Sequence, residues 1–362
     1  MSDQHFDEID NLPDDGVPEP EGQEMNEHYR FTVDKGQNPI RIDKYLSMHI
    51  VGISRTRVQQ AAEANCILVN DSAVKANYKI KPRDVISVVL GYPKHEFEIV
   101  PQDIPLDILY EDDDLIVINK KAGMVVHPGF GNFEGTVANA VAYRLKDIQS
   151  FDITDLRPGI VHRIDKDTSG LMVVAKNKKA KVSLADQFFE KTTKRKYVAL
   201  VWGTVKEDEG TIESYIGRNV KDRLQMAVVD SEKEGGKHAI THYKVLERIG
   251  YVSLVECVLE TGRTHQIRVH MKHLGHPLFN DARYGGDQIL KGQNFSKYKQ
   301  FVQNCFKICP RQALHAKQLG FKHPKTGEEM FFDSKLAEDM TLLIEKWRNY
   351  IASIDNNKQL QD

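Results

Sequence analysis

Short apolar runs bounded by turn residues recur through the later two thirds of the chain. They occupy residues 106–112, 115–120, 171–175, 194–203 and 252–259. Runs of this length that are rich in β-branched and aromatic residues predict strands. Residues 194–203 alternate strongly enough to predict a central strand. We therefore expect a sheet over this part of the chain.

Apolar residues at helical spacing lie before and between these runs. Ile42, Tyr45 and Leu46 recur at such spacing, and Ser54 can cap a second helix that begins at Arg55. Further helices are predicted at residues 136–145, 181–189 and 340–351. Extended, β-rich segments are predicted at 66–70 and 84–90. The mixture predicts an α+β protein.

Other segments lack this periodicity. Residues 1–29 combine acidic residues with Pro and Gly and carry few apolar groups, so burial cannot offset the entropy of folding, and we expect a disordered tail. Residues 91–105 contain several prolines and predict a linker. Residues 288–309 are polar and are interpreted as a variable insertion, and 352–362 as a polar tail. Two folded domains are predicted, over residues 40–92 and 101–351.

The net charge of −2 conceals an uneven distribution. Residues 1–30 hold ten acidic residues and one basic residue. The remainder has 49 Lys and Arg against 42 Asp and Glu, a net charge of +7, which suits a polyanionic partner. The four cysteines are scattered without a C-x-x-C pair, so neither a disulfide framework nor a tetrahedral zinc site is predicted. No apolar stretch reaches the roughly twenty residues that a membrane span needs, so we expect a cytoplasmic protein.

Charged side chains crowd the segment between a Pro-Gly turn and the apolar run at 171–175. They are Arg157, His162, Arg163, Asp165, Lys166 and Asp167. Charge beside a core strand needs a partner. An ordinary ion pair between Arg163 and Asp165 explains the pattern as well as a reactive carboxylate does. Since nearby arginines favour the ionised form of a carboxylate, Asp165 also suits a nucleophile or base.

The string HRIDKDTSG at 162–170 resembles the signature of the large pseudouridine synthase family named for ribosomal large-subunit synthase A. Residues 261–270 and 311–324 resemble further segments of that family. A protein-kinase catalytic loop, by contrast, would need contiguous His-Arg-Asp and a glycine-rich phosphate loop, and neither occurs. The resemblance implies a mixed, largely antiparallel sheet in the larger domain.

The resemblance also implies roles for individual residues. Asp165 matches the catalytic nucleophile, and Tyr197 matches the tyrosine that stacks on the target uracil and is implicated in a later proton transfer. Arg268 matches the arginine that reaches the catalytic carboxylate, and we expect its guanidinium to bind Asp165 in a bidentate fork. Substrate-binding roles are predicted for His162, Arg163, Arg263, His265 and Gln266.

The amino-terminal domain resembles the S4 RNA-binding domain, through the string RIDKYL at 41–46 and through Ser54 and Arg55. The candidate RNA contacts are Arg41, Lys44, Arg55 and Arg57. Arginines at the start of a helix place guanidinium groups beside exposed amide donors, a surface that suits phosphate or folded RNA. A charged helix face would otherwise be explained by solubility alone.

These features predict a monomeric enzyme that isomerises uridine in large-subunit (23S) ribosomal RNA without a cofactor. His265, His270, His273 and His276 lack metalloprotease spacing, and because the family uses no metal, none is expected. Two alternatives are an RNA-binding protein with an inactive synthase domain and a base-releasing N-glycosylase. The residues do not decide whether Asp165 attacks the sugar, attacks the base or removes a sugar proton.

Overall fold

The structure is a computed structural model of the chain. It describes residues 26–50, 55–90, 99–129, 132, 134–148, 151, 157–219, 222, 225–232 and 235–359. They fall into two compact units, within residues 18–98 and 99–362. The predicted cap Ser54 and most of the predicted linker, residues 91–98, lie outside the described residues. No described helix combines the length and apolarity that crossing a bilayer requires.

The small unit is a four-stranded antiparallel sheet with two helices. Its elements are β1 (Asn26–Thr32), α1 (Ile42–His49), α2 (Arg55–Glu63), β2 (Ile67–Val69), β3 (Ser72–Ala73) and β4 (Val85–Leu90). The strand order is β1-β4-β2-β3. Ile42 and Leu46 of α1 and Ile67 and Ile86 of the sheet are buried in one core. The helical spacing seen in the sequence therefore marks the face of α1 that packs on the sheet.

The small unit begins earlier than predicted. β1 starts at Asn26, inside the predicted tail of residues 1–29, and pairs along β4 from Asn26 opposite Leu90 to Thr32 opposite Val85. Tyr29 and Phe31 pack against the core. The acidic composition of the preceding residues hides this short strand, whose stability comes from its pairing with β4. Residues 1–25 lie outside the described residues.

The large unit contains one ten-stranded sheet among its described residues. Its strands are β5 (Ile108–Glu111), β6 (Leu115–Lys120), β7 (Ser169–Ala175), β8 (Lys194–Trp202), β9 (Glu209–Arg218), β10 (Met226–Val229), β11 (Lys237–Ile249), β12 (Val252–Leu259), β13 (Leu314–Lys322) and β14 (Glu329–Asp333). The order is β10-β9-β11-β12-β8-β13-β7-β6-β5, and β14 pairs with β13. Only β13 and β7 run parallel. The expected mixed, largely antiparallel sheet is confirmed, with β8 at its centre.

Helices cover both faces of this sheet. They are α3 (Val137–Leu145), α4 (Lys178–Phe189), α5 (Gln266–His273), α6 (Ser296–Ile308) and α7 (Glu338–Gln359). Along β8, Tyr197, Ala199 and Val201 enter one core, and the alternate residues enter a second core that includes Trp347 of α7. The alternation predicted for β8 thus reflects burial on both faces, as expected for a central strand.

Two segments that the sequence analysis interprets as a polar insertion and a polar tail contain helical residues. α6 lies inside the predicted insertion at 288–309, and four of its residues are buried: Tyr298, Val302, Cys305 and Phe306. Phe301 stacks on Tyr350 of α7 with ring centroids 4.0 Å apart. α7 extends to Gln359, into the predicted polar tail. A narrow apolar stripe is sufficient to fix α6 against α7, although most residues of the segment are polar.

Candidate active site

Asp165 lies on the turn that leads into β7. The backbone N–H of Thr168 donates to the carbonyl of Asp165 at 3.1 Å. Every residue of β7 is buried, so the turn starts from a fixed strand. At Gly170, where φ is +116°, a Cβ atom would lie 2.3 Å from the carbonyl oxygen of Ala316. Glycine therefore permits the close approach of β7 and β13 that positions the turn.

Arg268, on α5, links Asp165 to a second aspartate. Its Nη1 donates to Oδ2 of Asp165 at 2.9 Å. Its Nε and Nη2 donate to the two carboxylate oxygens of Asp281 at 2.8 and 2.9 Å. The fork expected for Asp165 is therefore directed to Asp281, and the expectation of a bidentate bond to Asp165 is wrong. The fork fixes the plane of the guanidinium and leaves Nη1 to donate to Asp165.

The three side chains differ in exposure. Asp281 is 1 % exposed, Arg268 7 % and Asp165 18 %. Burial by itself lowers the pKa of Arg268, but the hydrogen bonds that it donates to Asp281 and the charges of both aspartates outweigh burial and raise the pKa above its ordinary value. Arg268 is therefore a permanent buried cation, and the most accessible group of the cluster is the Asp165 carboxylate.

Asp165 is held through one oxygen only. Within the described residues no group donates a hydrogen bond to its Oδ1, whereas Oδ2 accepts from Arg268. A carboxylate in this arrangement is oriented at one atom and available at the other. This is the geometry that a nucleophile or a base requires.

The ring of Tyr284 packs against the guanidinium of Arg268. The guanidinium carbon lies 4.9 Å from the centroid of the tyrosine ring, within cation–π distance. The Tyr284 hydroxyl accepts from the backbone N–H of Met226 at 3.1 Å and lies 2.8 Å from Nδ1 of His265. The sequence analysis assigns no role to Asp281 or Tyr284, because no local pattern shows what these residues contact.

Tyr197 lies on β8 with its side chain in the core that faces Asp165. It is 9 % exposed. Burial raises the pKa of its hydroxyl, the nearby Arg195 charge opposes the shift, and the Asp165 charge adds to it, so the phenol stays protonated at neutral pH. No described group forms a hydrogen bond with this hydroxyl. The Tyr197 side chain is thus close enough to the Asp165 carboxylate for the two groups to interact electrostatically.

Gln266 and Arg263 belong to the framework of the site. The Gln266 carbonyl accepts from Thr261 Oγ1 and from the Arg263 backbone N–H, and its amide donates to the Ile240 carbonyl and to Thr241 Oγ1. All four hydrogen-bonding positions of the amide are used within the protein, and the predicted contact of Gln266 with substrate stays a prediction. The Arg263 Nε donates to the His238 carbonyl at 3.0 Å, which holds the loop before α5 against β11.

The remaining histidines and Arg163 occupy different environments. His265 caps α5 from the left-handed conformation, with φ at 55°, and contacts Tyr284. His162 accepts from the backbone N–H of Val173 at 3.0 Å and stacks on Phe188, with ring centroids 4.3 Å apart. Arg163 is exposed beside it. Substrate contacts of His162, Arg163 and His265 stay predictions.

The candidate RNA-binding arginines of the small unit gather around a buried carboxylate. Arg41 and Arg55 pair with Asp43 at 2.8 and 3.1 Å, and Gln59 donates to it at 2.8 Å. Desolvation raises the pKa of Asp43, but the hydrogen bonds from Arg41, Gln59 and Arg55 outweigh it and lower the pKa to about 2. Lys44 is exposed, and the side chain of Arg57 lies outside the described residues.

Three of the four histidines considered for a metal, His265, His270 and His276, have other partners, and His273 is exposed. His270 lies 3.0 Å from Ser214 Oγ and 2.8 Å from Thr241 Oγ1, and His276 Nδ1 lies 2.8 Å from the Trp202 carbonyl. One cluster of possible metal ligands occurs in the described part of the chain, formed by Asp112, Asp114 and His323. Asp112 already accepts hydrogen bonds from His323, from Tyr110 and from two backbone N–H groups. These contacts explain the cluster without an ion.

The fold and the site define an RNA-modifying enzyme built from two known modules. The RNA pseudouridylate synthase family profile matches residues 114–273, and the S4 domain profile matches residues 40–86. The chain belongs to this family and is an RNA pseudouridine synthase, an isomerase. The second match confirms the expected S4 domain.

Relatives over nearly the full chain support this assignment. An uncharacterized RNA pseudouridine synthase of Chlorobaculum parvum is 49 % identical, covering 89 % of this chain and 98 % of its own. The ribosomal large subunit pseudouridine synthase D of Nitrosomonas europaea is 41 % identical over 91 % and 90 % of the two chains. The solved structure of human RNA pseudouridylate synthase domain containing 4 is similar with a TM-score of 0.50 and 25 % identity, covering 67 % of this chain and 93 % of that one.

Proposed function

We propose that this enzyme converts specific uridines of large-subunit (23S) ribosomal RNA to pseudouridine, with Asp165 as the nucleophile. Arg268 orients the carboxylate, and Tyr197 stacks on the extruded uracil. The observation that carries the proposal is the asymmetric carboxylate of Asp165, with Oδ2 on Arg268 and no described donor at Oδ1. The ribosomal substrate is suggested by similarity to the large-subunit synthase D of Nitrosomonas europaea.

The reaction is an isomerisation whose atoms balance within the nucleotide. The bond between N1 and the sugar breaks, the base turns, C5 joins the sugar, and C5 loses the proton that N1 gains. The base must leave the RNA stack to reach the site, and an aromatic ring at its face reduces the cost of unstacking. Asp165 starts the cleavage by attack on the sugar or the base, or by removal of a sugar proton.

Each residue has a distinct task in this scheme. Arg268 is clamped by Asp281, so Oδ2 of Asp165 returns to the same position after each turnover. Tyr197 supplies a flat, protonated phenol beside the carboxylate. The detached uracil must be retained until C5 has bonded, because its escape would leave an abasic site.

Removal of the Asp165 charge tests the proposal. Unmodified 23S ribosomal RNA transcript is incubated with the wild-type chain, Asp165→Asn and Asp165→Ala, and pseudouridine is mapped. We expect site-specific pseudouridine with the wild type and none with either variant, while RNA binding is retained. Asp167→Asn, the same change two residues away, serves as the matched control and should stay active. Pseudouridine formation by Asp165→Asn would refute the assignment of Asp165 as the nucleophile. Release of free uracil by the wild type would show that the reaction is not an isomerisation.

The proposed setting of the enzyme is a monomer in the cytoplasm that meets RNA through its S4 domain. The exposed faces of Arg41 and Arg55 supply positive charge there. No disulfide occurs within the described part of the chain, which suits a reducing compartment.

A further inference from the structure

Arg195 shares a face of β8 with Tyr197. Side chains two residues apart on a strand point to the same side, with their Cα atoms about 6.7 Å apart. The burial pattern agrees, because Tyr197 enters the core facing Asp165, whereas Lys196 points to the opposite face and pairs with Glu256 at 3.1 Å. Arg195 therefore lies one side-chain position along the strand from the predicted stacking surface.

The Arg195 guanidinium has no counter-ion within the described part of the chain. Its only described hydrogen bond runs from Nη2 to the backbone carbonyl of Glu260, at 3.3 Å. The Glu260 carboxylate faces His242 instead, at 2.6 Å. The Arg195 Nε is buried without a partner. A cation in this environment loses hydration without gaining a negative neighbour, and burial lowers its pKa accordingly.

The surroundings fix where this cation lies. The guanidinium carbon is 5.7 Å from the centroid of the Phe188 ring, on which His162 also stacks. Burial and the Arg195 charge lower the pKa of His162 to about 3, so His162 is a neutral ring at physiological pH. A Cβ atom at Gly262 would lie 2.7 Å from Nη1 of Arg195. The absence of a side chain at Gly262 gives the guanidinium its space.

We infer that Arg195 binds a backbone phosphate of the RNA next to the nucleotide whose base stacks on Tyr197. A planar guanidinium matches two phosphate oxygens, and a phosphate would supply the missing negative charge. The spacing of the two side chains on β8 is one that a single nucleotide can bridge. This assignment rests on the proposed function, since it places the base on Tyr197.

The salt dependence of binding tests the assignment. The full-length chain carrying Asp165→Asn is titrated with unmodified 23S ribosomal RNA transcript at several salt concentrations, with and without Arg195→Gln. We expect Arg195→Gln to weaken binding about tenfold and to reduce the slope of log K against log salt by about 0.7, the loss of one single-strand phosphate contact. Lys196→Gln removes the same charge on the other face and should leave the slope unchanged. An unchanged slope in Arg195→Gln would overturn the inference.

A second measurement separates phosphate binding from packing on Phe188. In an otherwise wild-type chain, Arg195→Lys keeps the charge but loses the planar guanidinium, whereas Arg195→Gln keeps a planar polar group but loses the charge. If Arg195 binds phosphate, Arg195→Lys restores most of the slope of log K against log salt that Arg195→Gln loses. The loss of activity in Arg195→Gln then appears mainly as a higher KM. If Arg195→Gln forms pseudouridine as fast as Arg195→Lys, the role of Arg195 is structural and the inference is wrong. The wild type is measured in the same assay. If it forms pseudouridine while the predictions for the Arg195 variants fail, the inference about Arg195 is wrong and the proposed function is not affected.

Discussion

Both units contain a cluster of arginine and aspartate side chains. The central buried residue is an aspartate in the small unit and an arginine in the large unit. In the small unit one carboxylate, Asp43, is fully buried and holds Arg41 and Arg55, whose side chains are 45 % and 51 % exposed. In the large unit one buried guanidinium, Arg268, holds two carboxylates, of which Asp281 is buried and Asp165 is partly exposed. In each cluster the buried member sets the geometry.

The accessible member of each cluster differs in charge. The small unit presents cations, which suit RNA phosphates, and the large unit presents a carboxylate, which suits an electrophilic sugar or base. The same pair of residue types therefore presents positive charge in one unit and a carboxylate in the other, as the proposed roles in binding and chemistry require. Exposure, rather than the presence of an ion pair, distinguishes the two roles.

The largest effect on stability is expected from breaking the buried half of the Arg268 cluster. Asp281→Asn removes the charge that pairs with Arg268 and turns amide donors towards guanidinium donors. Removing one partner of a buried pair costs about 3 kcal/mol of the free energy of unfolding. Activity should fall by about two orders of magnitude, because Arg268 no longer holds Oδ2 of Asp165 in place. Urea unfolding followed by tryptophan fluorescence reports the large unit alone, since Trp202 and Trp347 are the two tryptophans of the chain.

Asp165→Asn is the matched control for Asp281→Asn. The substitution is identical and the side chain contacts the same guanidinium, but Asp165 is more exposed and accepts only one hydrogen bond from it. We expect its free energy of unfolding to change by less than about 1 kcal/mol, with complete loss of activity. Equal destabilisation by the two variants would contradict the division between a geometry-setting and a reacting carboxylate.

The extent to which the sequence predicts this cluster depends on where its members lie. The motif around Asp165 and the string around Arg268 were identified by resemblance, and the strands that carry them follow from local periodicity. Asp281 was not assigned because its partner is thirteen residues away and its burial depends on the 3-10 turn Ala282–Tyr284. The framework contacts of Gln266 are likewise not readable from the sequence, because all four hydrogen-bonding positions of its amide are used by residues of the loop before α5 and of β11. β1 and α6 were missed because their stability comes from distant partners.

A smaller effect on stability is expected from substitution of Asp43, the buried carboxylate of the small unit. The pKa of Asp43 is lowered from 3.8 to about 2 in the folded state, so its contribution to stability is complete above about pH 4 and is lost as the pH falls towards 2. Asp43→Asn removes this contribution at neutral pH, at a cost of about 1 kcal/mol, because the partner arginines are half exposed and screened by solvent. Hydrogen exchange of α1 and α2 in the full chain measures it. A difference between wild type and variant that is as large at pH 2 as at pH 7 would contradict the linkage.

The smallest effect is expected from an exposed member of the small unit. Arg55→Gln should leave stability nearly unchanged and reduce the salt slope of RNA binding by about 0.7, with a smaller loss of affinity than Arg195→Gln, because the Arg55 charge is already shared with Asp43 and screened by solvent. Arg348→Gln is the matched control, since Arg348 is 48 % exposed and pairs with Glu247 in the large unit. Equal changes in slope for Arg55 and Arg348 would mean that the arginines around Asp43 add only general charge, and the small unit would then not present a specific RNA surface at this cluster.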